Sequence, residues 1–384
     1  MARKLTVACA ALWLVIGYAA IGAEENRHSL WSQVDVQVYG RLKADAAYDT
    51  SRVDPGNYVR WVDPSGEKDD EFNLTASETR LGINFKGPDA GSAKTSGKVE
   101  IDFYGNSAAT DAENKAKPMM RHAYAVLEFP QWSLLAGQTS DIVSPLVPRT
   151  LNYSVMWWVG NIGYRRPQIR FIKQDDLCKD TKLKLDAGIS RTIGESFGAF
   201  TETGEDAGVP TVQARAGLTF PFLAQPATLG LSGHYGKEEF GSLERTTWSL
   251  NLDALVPLMD SMTFKGEYFV GKNLDAFLGG IGQGINQGKL LSIEAQGGWM
   301  AVEMEAGKGW SFTGGVGMDD PRDADLVGAP GNPRKSNRCV FGNAIYALSK
   351  NAKVGFELSQ WRTDYVGTGP VDDVRGQMSV IYEF

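Results

Sequence analysis

The sequence predicts an all-β fold: a transmembrane antiparallel β-barrel of about 16 strands. Three observations carry this: apolar and polar residues alternate with period two along most of the 384 residues, several alternating segments outrun ordinary soluble strands, and the connections between them alternate long and short. The 44 glycines and 10% aromatic content lean the same way.

Residues 1–23 read as a cleaved secretory signal peptide, with a basic start in "MARK", an apolar run in "LTVACAALWLVIGYAA" and small residues in "AIGA". A membrane anchor of about 17 residues is the alternative. Cys9 stands inside the apolar run, too early to be a lipidation site. Residues 24–33 are read as a short N-terminal segment and 34–384 as the barrel, with no further domain boundary.

The first strand is "VDVQVYGRLKADAAY". Val36, Val38, Leu42, Ala44, Ala46 and Tyr48 fall on one side of it, and Asp35, Gln37, Tyr39, Arg41, Lys43 and Asp45 on the other. The alternation returns in "KVEIDFYG", "TKLKLDAGIS", "TVQARAGLTF", "TWSLNLDALV", "MTFKGEYFV", "KVGFELSQW" and "VRGQMSVIYEF", where Ile381 is a misfit on the polar side. "FNLTASETRLGINF" changes phase near Ser77, which predicts a bulge, and "NRCVFGNAIYALS" has no clear face. Segments longer than the roughly 9 to 11 residues that cross a bilayer favour a barrel over a soluble sandwich. Aromatic residues near strand ends (Tyr48, Phe129, Trp248, Tyr268, Tyr382, Phe384) favour it as well. The apolar face is therefore expected to meet lipid and the polar face to surround water.

Short joins such as "FPQW", "PFLAQP", "VPLMD" and "SKNA" carry tight-turn residues and are assigned to the periplasm, beside both termini. The long connections 50–71, 105–118, 140–163, 192–210, 271–288 and 318–335 are assigned to the outside of the cell. One of them is expected to fold inward. "SDIVSPLVPRTLNYSVMWWVGNIG", with Asp141 and Arg149 as its charges, is too long and apolar for a solvated loop because Met156, Trp157, Trp158 and Val159 need burial. Packing at a subunit interface is the alternative. "GGIGQGINQG" lacks dinucleotide-motif spacing and is read as a flexible external loop.

The formal charge of -7, or -9 without Arg3 and Lys4, argues against a nucleic-acid partner. Three histidines (His28, His122, His234) and three cysteines (Cys9, Cys178, Cys339) give no zinc spacing and no disulfide framework, so neither metal nor cofactor is expected. The strand assignment sets Cys178 and Cys339 at opposite ends of the barrel, too far apart to bond. Ser232 and His234 share a strand face, but no carboxylate or oxyanion donor joins them, so no enzyme is expected. Acid pairs Glu238–Glu239 and Asp319–Asp320 are read as solvated in external loops, or bound to divalent cations beside lipopolysaccharide.

Several stretches together resemble the Gram-negative outer-membrane porins, and among them the DcaP-like trimeric porin family. These are "RHAYAVLEF" with "LLAGQTSDIVSPL", "RRPQIRF", "GGIGQGI", "GMDDPRDADL", "NRCVFGNAIYALSKNAKVGFELSQWRTDY" and the terminal "VIYEF". The resemblance implies a 16-stranded barrel in the cell outer membrane, a homotrimer, a third loop folded into the channel, and passive diffusion of small hydrophilic solutes with organic acids as cargo. It makes Phe384 the signal for the barrel-insertion machinery, and outer-membrane lipid and lipopolysaccharide the surroundings. The segment "EENRHSLWSQ" is too short for the long helical extension of some members. Arg41, Lys43, Arg80, Arg121, Arg166, Gln168 and Arg170 fall on inward positions. Arg80 in "TRLG" and Arg121 in "RHAY" match a basic ladder of related porins, which would face Asp141, Arg149, Trp157 and Trp158 of the constriction loop. An anion preference suits the planar fork of arginine, although any water-filled barrel needs a polar wall. A non-conducting barrel, adhesin-like or scaffolding an enzyme, is the competing function.

Overall fold

The computed structural model describes residues 33–105, 115–192, 207–223, 225–240 and 242–384. The leader, most of the 24–33 segment, and parts of the 105–118 and 192–210 connections lie outside the described residues. Among the described residues sixteen antiparallel strands close into one barrel. They are β1 (Asp35–Asp49), β2 in two pieces (Glu71–Thr75 and Arg80–Lys86), β3 (Lys94–Asp102), β4 (Met119–Glu128), β5 (Trp132–Ser140), β6 (Arg165–Cys178), β7 (Thr181–Ser190) and β8 (Thr211–Phe222). There follow β9 (Gln225–Phe240), β10 (Leu243–Met259), β11 (Met262–Lys272), β12 (Glu294–Gly307), β13 (Trp310–Pro321), β14 (Arg334–Ala347), β15 (Ala352–Tyr365) and β16 (Gly369–Glu383). Closure comes from β1, which pairs with β16 on one side and with both pieces of β2 on the other.

The apolar faces point outward. Val38 is 64% exposed, while Lys43 and Asp45 on the same strand are 3% exposed. Rows of exposed Leu231, Leu252 and Tyr268 continue across β9, β10 and β11. At the short-turn end the outer aromatic residues touch one another: Phe129 stacks on Trp132 at 4.2 Å, Trp132 on Phe171 at 5.4 Å, and Trp310 on Phe312 at 5.8 Å.

Four sequence readings are corrected. The phase change near Ser77 is more than a bulge, because β2 breaks between Thr75 and Arg80 and turns Ser77 and Glu78 into the lumen. β14 does alternate, with Cys339, Phe341 and Asn343 buried between exposed Val340 and its neighbours. Its inner face mixes Cys339 and Phe341 with Asn337 and Asn343, which hid the pattern. "GGIGQGINQG" is not a flexible external loop: Ile281 and Ile285 are buried and the segment lies inside the barrel mouth. Glu238 and Asp319 are likewise strand residues buried within the barrel, not solvated loop acids.

The inside of the barrel therefore holds a hydrophobic core. A short ribbon from the first loop, Val53–Pro55 paired with Val59–Val62, packs with Met156 and Val159 of the third loop against Trp299, Phe341 and Trp361 of the wall. Ile381, the misfit of β16, borders a cavity on the short-turn side. Cys339 is buried in the long-loop half of β14, and Cys178 is exposed at the short-turn end of β6; both are free thiols.

The outward rows make a depth-dependent prediction. Leu252→Arg, at the middle of β10, should lower the unfolding free energy in phospholipid vesicles by about 2–4 kcal/mol. An unchanged denaturant midpoint would mean that this face does not meet hydrocarbon.

Candidate functional site

The third loop, between β5 and β6, crosses the lumen from wall to wall. Over residues 142–152 its backbone does not satisfy its own amides, and wall side chains accept several of them instead. Gln213 Oε1 on β8 accepts from Ile142 N at 2.8 Å, and Glu267 on β11 accepts from Leu146 N at 2.7 Å. Glu303 on β12 accepts from Arg149 N at 3.1 Å, and Glu357 on β15 takes Leu151 N at 2.6 Å and Asn152 N at 3.2 Å. Beyond these anchors Val155, Met156 and Trp158 hold left-handed φ values of 44°, 69° and 64°. Such conformations cost roughly 1–3 kcal/mol each, and the surrounding packing imposes them.

At the neck of the loop Asp141 Oδ2 accepts from Tyr164 N at 2.8 Å, and its Oδ1 lies 2.7 Å from Arg166 Nε. Arg166 is 0% exposed, donates to Ala276 O at 2.8 Å, and has its guanidinium 3.8 Å from the Phe277 ring centroid. It thus joins the third loop to the sixth, residues 273–293, rather than presenting charge to the lumen. Gln168 donates to Thr139 O and Ser140 O at 3.0 Å, and Arg170 bonds to Gln168 Oε1.

The other basic residues also meet partners. Glu78, delivered by the break in β2, pairs with Arg41 and Lys43, and Arg80 lies 3.5 Å from it. Lys43 also donates to Leu151 O at 2.7 Å, tying the loop to β1. Arg121 reaches Glu100 at 2.7 Å and Asp102 at 2.6 Å. Arg149 pairs with Glu303 and Glu305. A 580 Å³ cavity below the loop is bordered by Arg41, Lys43, Glu78, Arg149 and Lys353.

Trp157 and Trp158 join Tyr58, Tyr104 and Tyr153 in an aromatic cluster, with Tyr104 and Tyr153 centroids 4.1 Å apart. Against it lies Arg165, only 4% exposed, its guanidinium 4.7 Å from Tyr164 and 5.5 Å from Trp157. Its Nε and Nη2 are buried without a hydrogen-bond acceptor. Arg165 escaped the sequence reading because alternation assigns it the face opposite Arg166. The anchoring acids Glu267, Glu303 and Glu357 were also missed; each shares its inward face with other charged residues such as Lys265, Glu305 and Lys353, so nothing in the pattern marks it as an anchor. Phe384, at the barrel seam, exchanges backbone hydrogen bonds with Gly40.

Ser232 and His234 do not form a pair: His234 bonds Ser249 at 2.7 Å and Thr247 at 2.9 Å. Among the described residues no three His, Cys, Asp or Glu side chains gather as a metal centre.

No protein-family model matches the chain, and no curated protein matches it. Solved structures do. The outer membrane channel DcaP of Acinetobacter baumannii is similar at 20% identity over 94% of this chain and 99% of that one, with a TM-score of 0.74. OmpT of Vibrio cholerae, an outer membrane protein in trimer form, is similar at 10% identity, 92% and 100% coverage and a TM-score of 0.57. OmpF of Salmonella typhi, in complex with daunomycin, follows at 13% identity, 91% and 97% coverage and a TM-score of 0.57. The fold is that of the outer-membrane porins.

The anchoring acids predict a graded effect. Glu357→Ala leaves two loop amides and the Asn343 amide without their acceptor, so unfolding stability should fall by about 1–3 kcal/mol. Glu357→Gln, which keeps one acceptor oxygen, should cost less. Equal denaturant midpoints for the Ala variant and the parent would remove this residue from the anchoring of the loop.

Proposed function

We propose that this chain is a porin of the DcaP-like kind: a trimeric outer-membrane barrel, exported by its signal peptide, that lets small hydrophilic anions, organic acids above all, diffuse passively through a water-filled lumen. The single observation that carries the anion preference is Arg165. A guanidinium held against aromatic rings with two N–H groups lacking acceptors is preorganised for a carboxylate, whose two oxygens match the planar fork. Arg80, with its Nε also lacking an acceptor, and Arg121 stand on the same wall. The inward positions of Arg41, Lys43, Gln168 and Arg170 support a pore lining in which carboxylates offset most of the charge. In this reading Asp141, Arg149, Trp157 and Trp158 shape the constriction, and Arg166 positions it. Phe384 closes the seam and serves the insertion machinery; lipid and lipopolysaccharide cover the apolar exterior. The trimeric neighbour supports the assembly.

A non-conducting barrel is the second reading, favoured by the first, third and sixth loops all packing inside.

Planar-bilayer recording separates the two. The porin reading expects openings in groups of three, reversal potentials shifted toward anions, and block by dicarboxylates. Arg165→Glu should move the reversal potential toward cations while the barrel still folds, whereas Arg166→Glu should disturb loop packing first. Silence across the bilayer would favour the plugged barrel, and unchanged selectivity in Arg165→Glu would remove that residue from the pathway.

A further inference from the structure

We infer that Glu238, Asn273 and Asp275 hold one calcium-class divalent cation between the upper end of β9 and the sixth loop. Glu238 is 1% exposed and Asn273 0%. Asn273 Nδ2 donates to Glu238 Oε2 at 2.6 Å, which fixes the amide with its oxygen turned from that carboxylate. Glu238 Oε1 and Asn273 Oδ1 are both buried and meet no hydrogen-bond donor.

The Asn273 oxygen instead shares space with another carboxylate. A methyl group added at Gly284 would lie 2.2 Å from Asp275 Oδ1 and 2.3 Å from Asn273 Oδ1. Two oxygens so close beside one glycine are near enough for one calcium ion, with metal–oxygen distances of about 2.3–2.6 Å, to bridge. Any side chain at position 284 would fill that space.

Charge points the same way. Glu238 and Asp275 act on each other as like charges. Among the described residues Glu238 has no ion-pair partner within bonding distance, and the cation acting on it, Arg166, is already engaged by Asp141 and Ala276. Burying an uncompensated carboxylate is costly, and a cation relieves the cost. The donors are all oxygen, the set that selects a hard ion over zinc or copper. Access is available from the long-loop side, where a 330 Å³ cavity is bordered by Asp275, Gln283, Gly284 and Arg334; water can complete the shell from there. The bound ion would fasten the turn Asp275–Phe277, whose Phe277 ring lies between Arg166 and His234.

The mature barrel, refolded in detergent and stripped with a chelator, should bind about one calcium ion per chain in a calorimetric titration, with a Kd on the order of 0.1–1 mM. Glu238→Gln, which keeps the shape and the Asn273 contact, should weaken binding at least about tenfold. Glu239→Gln should leave it unchanged. Calcium should raise the thermal midpoint of the parent and of Glu239→Gln but not of Glu238→Gln. If heat-modifiable gel mobility shows Glu238→Gln unfolded, Asp275→Asn is read in its place with the same expectation. No calcium binding, or equal binding in parent and variant, overturns the inference. So does a midpoint that depends on pH through Glu238 but not on calcium, because a proton shared by the two carboxylates then explains the cluster.

Discussion

A chain segment taken inside a closed barrel finds no free backbone on the wall to bond with, since the wall has already spent its amides and carbonyls on neighbouring strands. The third loop meets this constraint through side chains. Gln213, Glu267, Glu303 and Glu357 project from four strands, two of them neighbours, and take its amides in order, while Lys43 on β1 gives a hydrogen bond to a carbonyl. The loop's path is therefore dictated by the wall. Its strained residues Val155, Met156 and Trp158 persist because anchors on both sides leave the intervening chain little choice.

The same constraint sorts the arginines. Arg166 and Arg165 are adjacent in sequence and both buried, yet one is tied to Asp141 and Ala276 while the other faces rings and lacks acceptors at two nitrogens. Counting basic residues on inward faces treats them as equals. Breaking a buried ion pair is costly even when the pair adds little net stability, so the paired residues fix geometry more than they add affinity. What the lumen presents is the residue of charge left after Glu78, Glu100, Asp102 and Asp141 have been matched.

The sequence made the barrel legible because lipid imposes a strict period of two on the outer face, and Val38, Leu252 and their neighbours obey it. The lumen carries no such rule. Cys339 and Phe341 point inward between Asn337 and Asn343 because the first and third loops lie against them, so β14 looked featureless. The sixth loop looked like a flexible glycine-rich excursion. Its glycines instead let the backbone turn tightly, with Gly280 and Gly282 at positive φ and Ile281 and Ile285 buried. The inward turn of the third loop could be read because its tryptophans demanded cover. The carboxylates that hold it could not, since an acid on a polar face gives no hint of what it grips.

The break in β2 leaves a flaw in an otherwise continuous wall. Pairing with β1 stops at Arg80 opposite Arg41 and resumes at Thr75 opposite Asp45, and between them Lys43 N leans on Thr79 Oγ1 at 3.3 Å. A hoop with one thin stave loosens there first. Amide deuteration, like any transient parting of the sheet, should begin around Leu42–Ala44 and spread from that point, however firmly the remaining fifteen strands are laced.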